Sequence, residues 1–181
     1  MVRVRPVVDT GKRRIVRLVE HENVIERRLA ALGLSLPEGA PSRANFLPFR
    51  RSGNLLFLAG QICEWNGEPR YFGPVEPGYD LTTAKKAAEL CVINLLFNIR
   101  LATGSLDSVA AVLRLGAFVA APAGFCDGPK IADGASELFI SLYGDEGRHA
   151  RTAVCVSSLP ANALVEVDAI VELKPQSSHG K

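Results

Sequence analysis

Long hydrophobic runs, paired cysteine motifs and histidine clusters are all missing from this sequence of 181 residues. No apolar stretch approaches the ~18 residues that a membrane-spanning helix needs, and the N-terminus has no hydrophobic signal segment. The four cysteines, at positions 63, 91, 126 and 155, form no C-x-x-C pair. Two of them, Cys91 and Cys155, fall in apolar periodic segments, as small buried hydrophobic residues do. These absences predict a reduced, cytoplasmic protein without a membrane segment.

Cofactor-binding signatures are missing as well. His21 and His179 stand near the two ends, so His149 is the one histidine of the body and no metal-site spacing arises. The segment Gly128-Pro129-Lys130 lacks the spacing of a phosphate-binding loop, and no Ser-His-Asp order is evident. We therefore expect neither a metal nor a cofactor. Because His149 stands just before a predicted strand, a solvated or capping role is favoured over acid-base chemistry.

Acidic residues are scarce in the first part of the chain. Residues 1–20 hold two acidic side chains against six basic ones, whereas the remainder is mildly acidic, although the whole chain carries a net charge of +2. The body therefore offers no basic surface for nucleic acid. We expect a flexible basic extension over residues 1–21, one domain over 22–174 and a short tail over 175–181. The alternative interpretation of the Arg-rich start is an organellar transit sequence.

The composition that is present, 48% hydrophobic and 22% charged, is that of a single globular domain. A glycine- and proline-rich segment at 65–78 is predicted to be a loop. The most regular helix starts at a cap on Asp80 or Thr82 and ends at Gly104. Apolar periodicity predicts helices over 24–32, 80–102 and 129–143, and strands over 45–51, 55–62, 111–121, 151–156 and 165–172.

This order of elements predicts an α+β fold, in which two main helices pack on one face of a single mixed sheet. Residues 55–59 and 112–121 are apolar on both faces, yet the helices can cover just one face of the sheet. An apolar sheet face that its own chain leaves uncovered is most simply buried by another copy. The sequence therefore predicts a homo-oligomer.

Segment 148–173 contains two runs of period two, joined by a turn at 157–162. If the runs form a hairpin with their branched residues toward the core, Arg151 and Glu166 emerge together on the opposite face. A cation and a carboxylate on one sheet face indicate an ion pair or a ligand site. The alternating residues are Arg151, Thr152, Ala153, Val154, Cys155 and Val156 in the first run and Val165, Glu166, Val167, Asp168, Ala169, Ile170 and Val171 in the second.

Two blocks of the sequence resemble the RidA/YjgF family, also called endoribonuclease L-PSP or chorismate-mutase-like. One block is SGNLLFLAGQ, residues 52–61, and the other combines ARTAV, SLP and VEVDAI within residues 150–170. The likeness extends over residues 24–173. It implies the chorismate-mutase-like fold, a trimeric barrel, and sites in clefts between subunits. It also implies that the partner is a small carboxylate-bearing metabolite.

The resemblance assigns roles to four residues. The arginine that matches Arg151 holds the carboxylate of a small imine or enamine acid, for which a planar guanidinium is suited. The glutamate that matches Glu166 handles the hydrolytic water, and Gly60 and Gln61 line the same cleft. From the residues alone, Arg151 could instead form an inter-subunit ion pair with Glu166 or another acid, and Gly60 could mark a bulge at a strand end.

Four positions depart from the deaminase members of the family. Phe46 stands where they have tyrosine, Ala59 where they have serine, and Ala153 where they have cysteine. The loop around Ala123 lacks their asparagine. Phe46 and Ala153 would still line the cleft, as apolar walls. The carboxylate clamp is retained, whereas most groups that orient a reacting imine are lost.

Three functions follow as hypotheses. The first is the binding of imine, enamine or oxo acids with hydrolytic deamination, in which Glu166 is the catalytic residue. The second is a non-catalytic ligand-binding or regulatory protein on the same scaffold. The third is an endoribonuclease or translation inhibitor that contacts phosphates through the basic extension, and the mildly acidic body weighs against it.

Overall fold

The computed structural model describes residues 6–7, 16–17, 23–38 and 45–175. Near the start of the chain, β1 (Pro6–Val7) pairs with β2 (Val16–Arg17) as a short antiparallel ladder. The rest of the basic extension predicted over residues 1–21 lies outside the described residues, as do residues 176–181 of the predicted tail.

The centre of the fold is one sheet of five strands, β3 (Phe49–Ser52), β4 (Leu55–Ile62), β7 (Val109–Ala120), β8 (Ala150–Val156) and β9 (Val165–Leu173). Their order across the sheet is β3-β4-β9-β7-β8. The sheet is mixed, because β7 runs parallel to β8 while the other neighbours are antiparallel. A separate small ladder joins β5 (Glu64–Trp65) to β6 (Glu68–Pro69) at the start of the predicted loop.

In the described part of the chain three α-helices accompany the sheet, α1 (Val24–Ala31), α2 (Leu81–Thr103) and α3 (Gly128–Tyr143). Helix α2 begins where the Asp80 carboxylate accepts hydrogen bonds from the N–H groups of Thr82 and Thr83, and it ends at Gly104 with φ of 78°. Helices α2 and α3 pack on each other and on the sheet. The predicted α+β fold, with two main helices on one mixed sheet, is confirmed. No helix in the described ranges has the length and apolarity to cross a membrane.

The hydrophobic core lies between this helical layer and the sheet. Strand β9 alternates as predicted, with Val165, Val167, Ala169, Val171 and Leu173 buried and the residues between them on the opposite face. Strand β7 and helix α3 contribute large buried side chains to the same core, among them Leu115 and Phe139. Within the described ranges, no helix packs on the opposite face of the sheet.

The prediction that strands β8 and β9 form a hairpin was wrong. Both strands pair with β7, which lies between them. The faces of β8 were also assigned wrongly, because Ala153 and Cys155 pack toward the helices whereas Val154 is 42% exposed. Helix α3 comes so close to this edge strand that a β-carbon on Gly128 would meet the Cys155 sulfur. Beneath the start of α3 the inner face of β8 therefore carries the small side chains of Ala153 and Cys155, and the branched Val154 lies outside.

Candidate functional site

Arg151 lies in the edge strand β8 and points toward helix α3. Its partner across the sheet is Leu115, which is buried beneath the helices, so both residues share the helix-facing side. The guanidinium donates from Nη1 to Asp133 Oδ1 at 2.8 Å and to Ser136 Oγ at 3.0 Å. It also donates from Nη2 to the Pro129 carbonyl oxygen at 3.2 Å. Three acceptors on one helix thus fix this side chain, which is 23% exposed.

One edge of the Arg151 guanidinium remains open to a further acceptor. The bonds to α3 involve Nη1 twice and Nη2 once. Within the described part of the chain, Nε makes no hydrogen bond and Nη2 makes one, to Pro129. These two nitrogens lie side by side on one edge of the planar group, where a carboxylate can accept two parallel hydrogen bonds. Arg151 is therefore anchored by one edge and able to bind an anion with the other.

A chain of hydrogen bonds continues from Arg151 through Ser136 to His149. His149 Nε2 lies 3.1 Å from Ser136 Oγ, and its Nδ1 lies 2.7 Å from the Gly147 carbonyl oxygen. Because a carbonyl only accepts, Nδ1 carries the proton and Nε2 accepts from the Ser136 hydroxyl. Burial lowers the pKa of His149, and the positive charge of Arg151 lowers it further. The contact with Gly147 agrees with the predicted capping role, whereas the link to Arg151 was not predicted.

Glu166 lies on the other face of the sheet, in β9 between β4 and β7. Its carboxylate covers Gly60, which lies in a bulge of β4. Burial raises the pKa of Glu166, and the negative charge of Asp168 raises it further. Asp168 is paired with Arg114 at 2.8 Å, whereas Glu166 has no hydrogen-bond partner in the described ranges. Such a carboxyl group holds its proton to higher pH and can exchange it with water.

Arg151 and Glu166 of one chain therefore lie on opposite faces of the sheet. The expectation that they emerge together on one face was wrong, because the inner and outer faces of β8 are reversed relative to the prediction. The acid that pairs with Arg151 in this chain is Asp133, which belongs to helix α3 of the same chain.

Two of the remaining predicted site residues, Gly60 and Ala153, belong to these two places, whereas Phe46 and Gln61 do not. Gly60 lies beneath Glu166, and Ala153 follows Arg151 on the helix-facing side of β8. Phe46 precedes the first strand of the sheet, because β3 begins at Phe49 and not at residue 45, and its side chain is 54% exposed. The two places together thus account for four of the six predicted residues.

Gln61 is separated from Glu166 by the sheet. Its Cα partner is Val167, which is buried on the helix side. The Gln61 side chain donates to the carbonyl oxygens of Ala59 and Gly60 at 3.1 and 2.9 Å. It borders a crevice of about 40 Å³ that also contains Asn94. Gln61 therefore hydrogen-bonds to the backbone of the β4 bulge from the helix-facing side of the sheet.

Sequence reasoning did not identify Asp133 and Ser136. They lie three residues apart in α3, which puts them on one face of the helix. The helix was predicted from its apolar residues alone, and the polar pair beside that apolar stripe was not interpreted. A polar pair at helical spacing next to a buried face is a signal for a charged partner on the sheet below. No cluster of three or more metal-binding side chains occurs within the described ranges.

Comparison with known families gives one match that spans most of the chain. Residues 26–173 match the family described as "YjgF/chorismate_mutase-like, putative endoribonuclease". The match includes both strands that carry Arg151 and Glu166.

Individual relatives agree with this family match. Protein TCP17 of Trypanosoma cruzi is 36% identical over 150 residues, which are 82% of this chain and 94% of that protein. The crystal structure of Atu1372 from Agrobacterium tumefaciens, a protein of unknown function, is 43% identical with a TM-score of 0.76 over 83% of this chain and 94% of that one. A "putative endoribonuclease" from Shewanella oneidensis is 31% identical with a TM-score of 0.78 over 83% and 100% of the two chains.

Proposed function

This chain belongs to the YjgF/chorismate mutase-like family, and on that premise we propose that it binds small imine, enamine or oxo acids between subunits and hydrolyses the imine. Arg151 binds the carboxylate of the ligand. Glu166 takes a proton from the hydrolytic water and delivers it to the nitrogen. The observation that carries the proposal is the open Nε and Nη2 edge of Arg151, on a guanidinium that Asp133, Ser136 and Pro129 hold in place.

The anchoring of Arg151 supports carboxylate binding in energetic terms. A free arginine side chain loses rotamer freedom when it grips a ligand, and that loss weakens binding. Here the hydrogen bonds to helix α3 restrict the side chain before a ligand arrives. The remaining donors match the geometry of a planar carboxylate, and charge-assisted hydrogen bonds of this type are among the strongest.

The surroundings of Glu166 support a role in proton transfer. Hydrolysis of an imine adds water to the carbon of the C=N bond, breaks the C–N bond and releases ammonia with an oxo acid. The water must lose protons and the nitrogen must gain them. A carboxyl group whose pKa is raised by burial and by the neighbouring Asp168 charge is suited to take a proton from water and deliver it to the nitrogen.

A second protomer is needed to combine these two groups around one ligand. Within one chain Arg151 faces helix α3 and Glu166 faces the uncovered side of the sheet. That uncovered side presents apolar side chains to solvent, including Phe57, 41% exposed, and Val154. A neighbouring copy that covers this face would bring its own edge strand β8 toward Glu166. We therefore place the site between subunits of a homotrimer.

The departures at Phe46 and Ala153 favour a second candidate, a protein that binds the same acids without turnover. Both positions offer an apolar side chain where the deaminase members of the family have a polar group. The Arg151 clamp is unaffected by these changes, because its supports come from α3. In this candidate the protein binds the ligand for a regulatory or storage role, and Glu166 catalyses no reaction.

Ammonia release separates the two candidates. An amino-acid oxidase generates 2-imino acids in the assay, and ammonia is followed with wild type, with Arg151→Ala and with buffer alone. We expect ammonia release to be faster with wild type than with buffer alone. The rate with Arg151→Ala should equal that of buffer. Arg148→Ala is the control, because Arg148 is exposed, lies three residues away and pairs with Asp145.

Equal rates for wild type and buffer would reject the deaminase. The binding protein then predicts that small carboxylic acids raise the melting temperature of wild type and of Arg148→Ala but not of Arg151→Ala. A rise that persists in Arg151→Ala would reject the site itself.

A further inference from the structure

We propose that a crevice beside helix α2, at the end of strand β4, binds a monovalent cation of about the size of a water molecule, such as K⁺ or NH₄⁺. Four polar side chains border this amide crevice, those of Gln61, Glu64, Asn94 and Asn98. The crevice lies on the helix-covered side of the sheet, whereas Glu166 lies on the other face. The inference is independent of the proposed function, because it uses neither Arg151 nor Glu166.

The amide of Asn98 is the first reason to expect an occupant. Asn98 is 6% exposed, and within the described ranges its side chain forms no hydrogen bond. The fully enclosed side-chain nitrogen and oxygen atoms of the described residues all have partners, so the Asn98 amide must face open space. The space that it borders is the amide crevice. Because a buried amide without a partner is unfavourable, a polar occupant of the crevice stabilises the fold.

Hydrogen bonds to the backbone orient the other two amides. Asn94 Nδ2 donates to two carbonyl oxygens, at 3.1 and 2.8 Å. Gln61 Nε2 likewise donates to two carbonyl oxygens, in the bulge of β4. The nitrogen end of each amide is thus engaged with the backbone, while Asn94 Oδ1 and Gln61 Oε1 have no hydrogen-bond partner in the described part of the chain. The groups that these side chains offer to an occupant are therefore oxygens.

The charge of the crevice indicates which occupant fits. Glu64 is its acidic residue, and the carboxylate forms no ion pair with another described residue. Among the described residues, no basic side chain borders the crevice. Neutral carbonyl oxygens are the groups that bind K⁺ in selective channels, whereas Ca²⁺ takes six to eight oxygens, often from several carboxylates. One carboxylate neutralises a monovalent cation and leaves a divalent ion half neutralised.

The volume of the crevice sets the size of the occupant. It is about 40 Å³, and a cavity needs roughly 10 to 15 Å³ of this measure to hold one water molecule. The crevice therefore admits an ion of the size of a water molecule, with one or two waters beside it. Mg²⁺, which loses its hydration shell reluctantly, needs more room. An organic ligand of the size of an amino acid is also too large.

Thermal unfolding of the purified full chain in different salts tests the site. KCl, NH₄Cl and NaCl are compared with choline chloride, whose cation is too large for the crevice. Equal concentrations keep the ionic strength and the anion constant. At about 100 mM salt, we expect the melting temperature to be about 2 to 4 °C higher with the best-fitting cation than with choline, since a ligand that binds the folded state alone stabilises it.

Two substitutions locate the effect. Asn98→Leu removes the unpartnered amide at nearly the same volume, and Glu64→Gln removes the charge and retains an oxygen. Each should abolish the difference between the best-fitting cation and choline, and Glu64→Gln is sufficient for the test if Asn98→Leu does not fold. Glu68→Gln is the matched control, because Glu68 is an exposed acid in the neighbouring strand β6 and does not border the crevice. It should show the wild-type difference.

The outcomes are distinct. Equal melting temperatures in all four salts would show that the crevice holds water only, and would overturn the inference. A difference that persists in a folded Asn98→Leu or Glu64→Gln variant would place the cation elsewhere and overturn it as well. Arg151→Ala should retain the wild-type difference between salts, so this result does not depend on whether the proposed function is correct.

Discussion

The carboxylate of Glu166 occupies the space that a side chain on Gly60 would need. A β-carbon at Gly60 would collide with Oε1 and Cδ of Glu166. The bulge between Leu58 and Gln61 turns this glycine toward the open face of the sheet. Both interpretations of Gly60 from the sequence thus have a basis here, since it lies in a bulge and allows a close approach. The group that approaches within this chain is the glutamate.

Gly60→Ala should therefore destabilise the protein through Glu166. Overpacking costs about 1 to 3 kcal/mol, and we expect the low end here because the clashing atoms belong to the end of a flexible side chain. In a Glu166→Ala background the collision is removed, so the same substitution should cost clearly less. Denaturant unfolding of the four variants measures this coupling. Additive costs would show that the two residues do not meet.

The raised pKa of Glu166 predicts a stability that falls with rising pH. The folded state holds the Glu166 proton more tightly than the unfolded state, whose pKa is near the ordinary value of 4.5. Between that pH and the higher folded pKa the folded protein binds more protons, so the free energy of unfolding declines as pH rises. Glu166→Gln lacks this decline.

We thus expect Glu166→Gln to gain stability relative to wild type as the pH is raised from 4.5. Urea unfolding of both proteins at a series of pH values gives the difference. Asp168→Asn removes a negative charge beside Glu166 and should move the decline to lower pH, toward the ordinary value. A difference that stays constant with pH would show that burial does not perturb this carboxyl group.

The orientation of β9 could be predicted from the sequence, and its reason lies in the residues themselves. Val165, Val167 and Val171 alternate with charged or larger residues along the strand, and a central strand with one helix-covered face must bury its branched set. The long helix α2 was predicted for a similar reason, because Asp80 and Gly104 mark its two ends. Local signals and tertiary structure agree at these places.

The orientation of β8 could not be predicted in the same way. Thr152, Val154 and Val156 are the branched residues of this strand, and the period-two rule assigns them to the core. The space beneath α3 decides otherwise, since the close approach of Gly128 admits the small Cys155 and excludes a larger side chain. That distance between helix and strand is a tertiary property. For the same reason the pairing of Arg151 with Asp133 was not foreseen.

The histidine at the end of the hydrogen-bond chain should titrate below its usual pKa of 6.5. Burial disfavours the imidazolium, and the Arg151 charge disfavours it further. The folded state thus binds fewer protons than the unfolded state, so the contribution of His149 to stability is complete above pH 6.5 and is lost as the pH falls.

Proton NMR of the imidazole measures this pKa once His21 and His179 are replaced by glutamine. Arg151→Met retains most of the length of the side chain and removes its charge, so the pKa of His149 should rise toward 6.5 without reaching it. Arg148→Met, which breaks the ion pair with Asp145, should leave the pKa unchanged. Equal values in wild type and Arg151→Met would contradict the effect of the Arg151 charge on His149.

Val154→Asp should dissociate the oligomer that we propose. Val154 lies on the uncovered face of the sheet, where its Cα partner is Phe118, the residue opposite Glu166. A carboxylate forced into an apolar contact between subunits loses its hydration, at a cost of several kcal/mol. Light scattering after gel filtration should give wild type as a multiple of 19.4 kDa and the variant as a smaller species.

Leu101→Asp is the control, because Leu101 is 61% exposed on helix α2 and its replacement should leave the mass unchanged. The proposal that a second protomer completes the site would be rejected if wild type had the mass of one chain. It would also be rejected if Val154→Asp kept the mass of the wild-type oligomer.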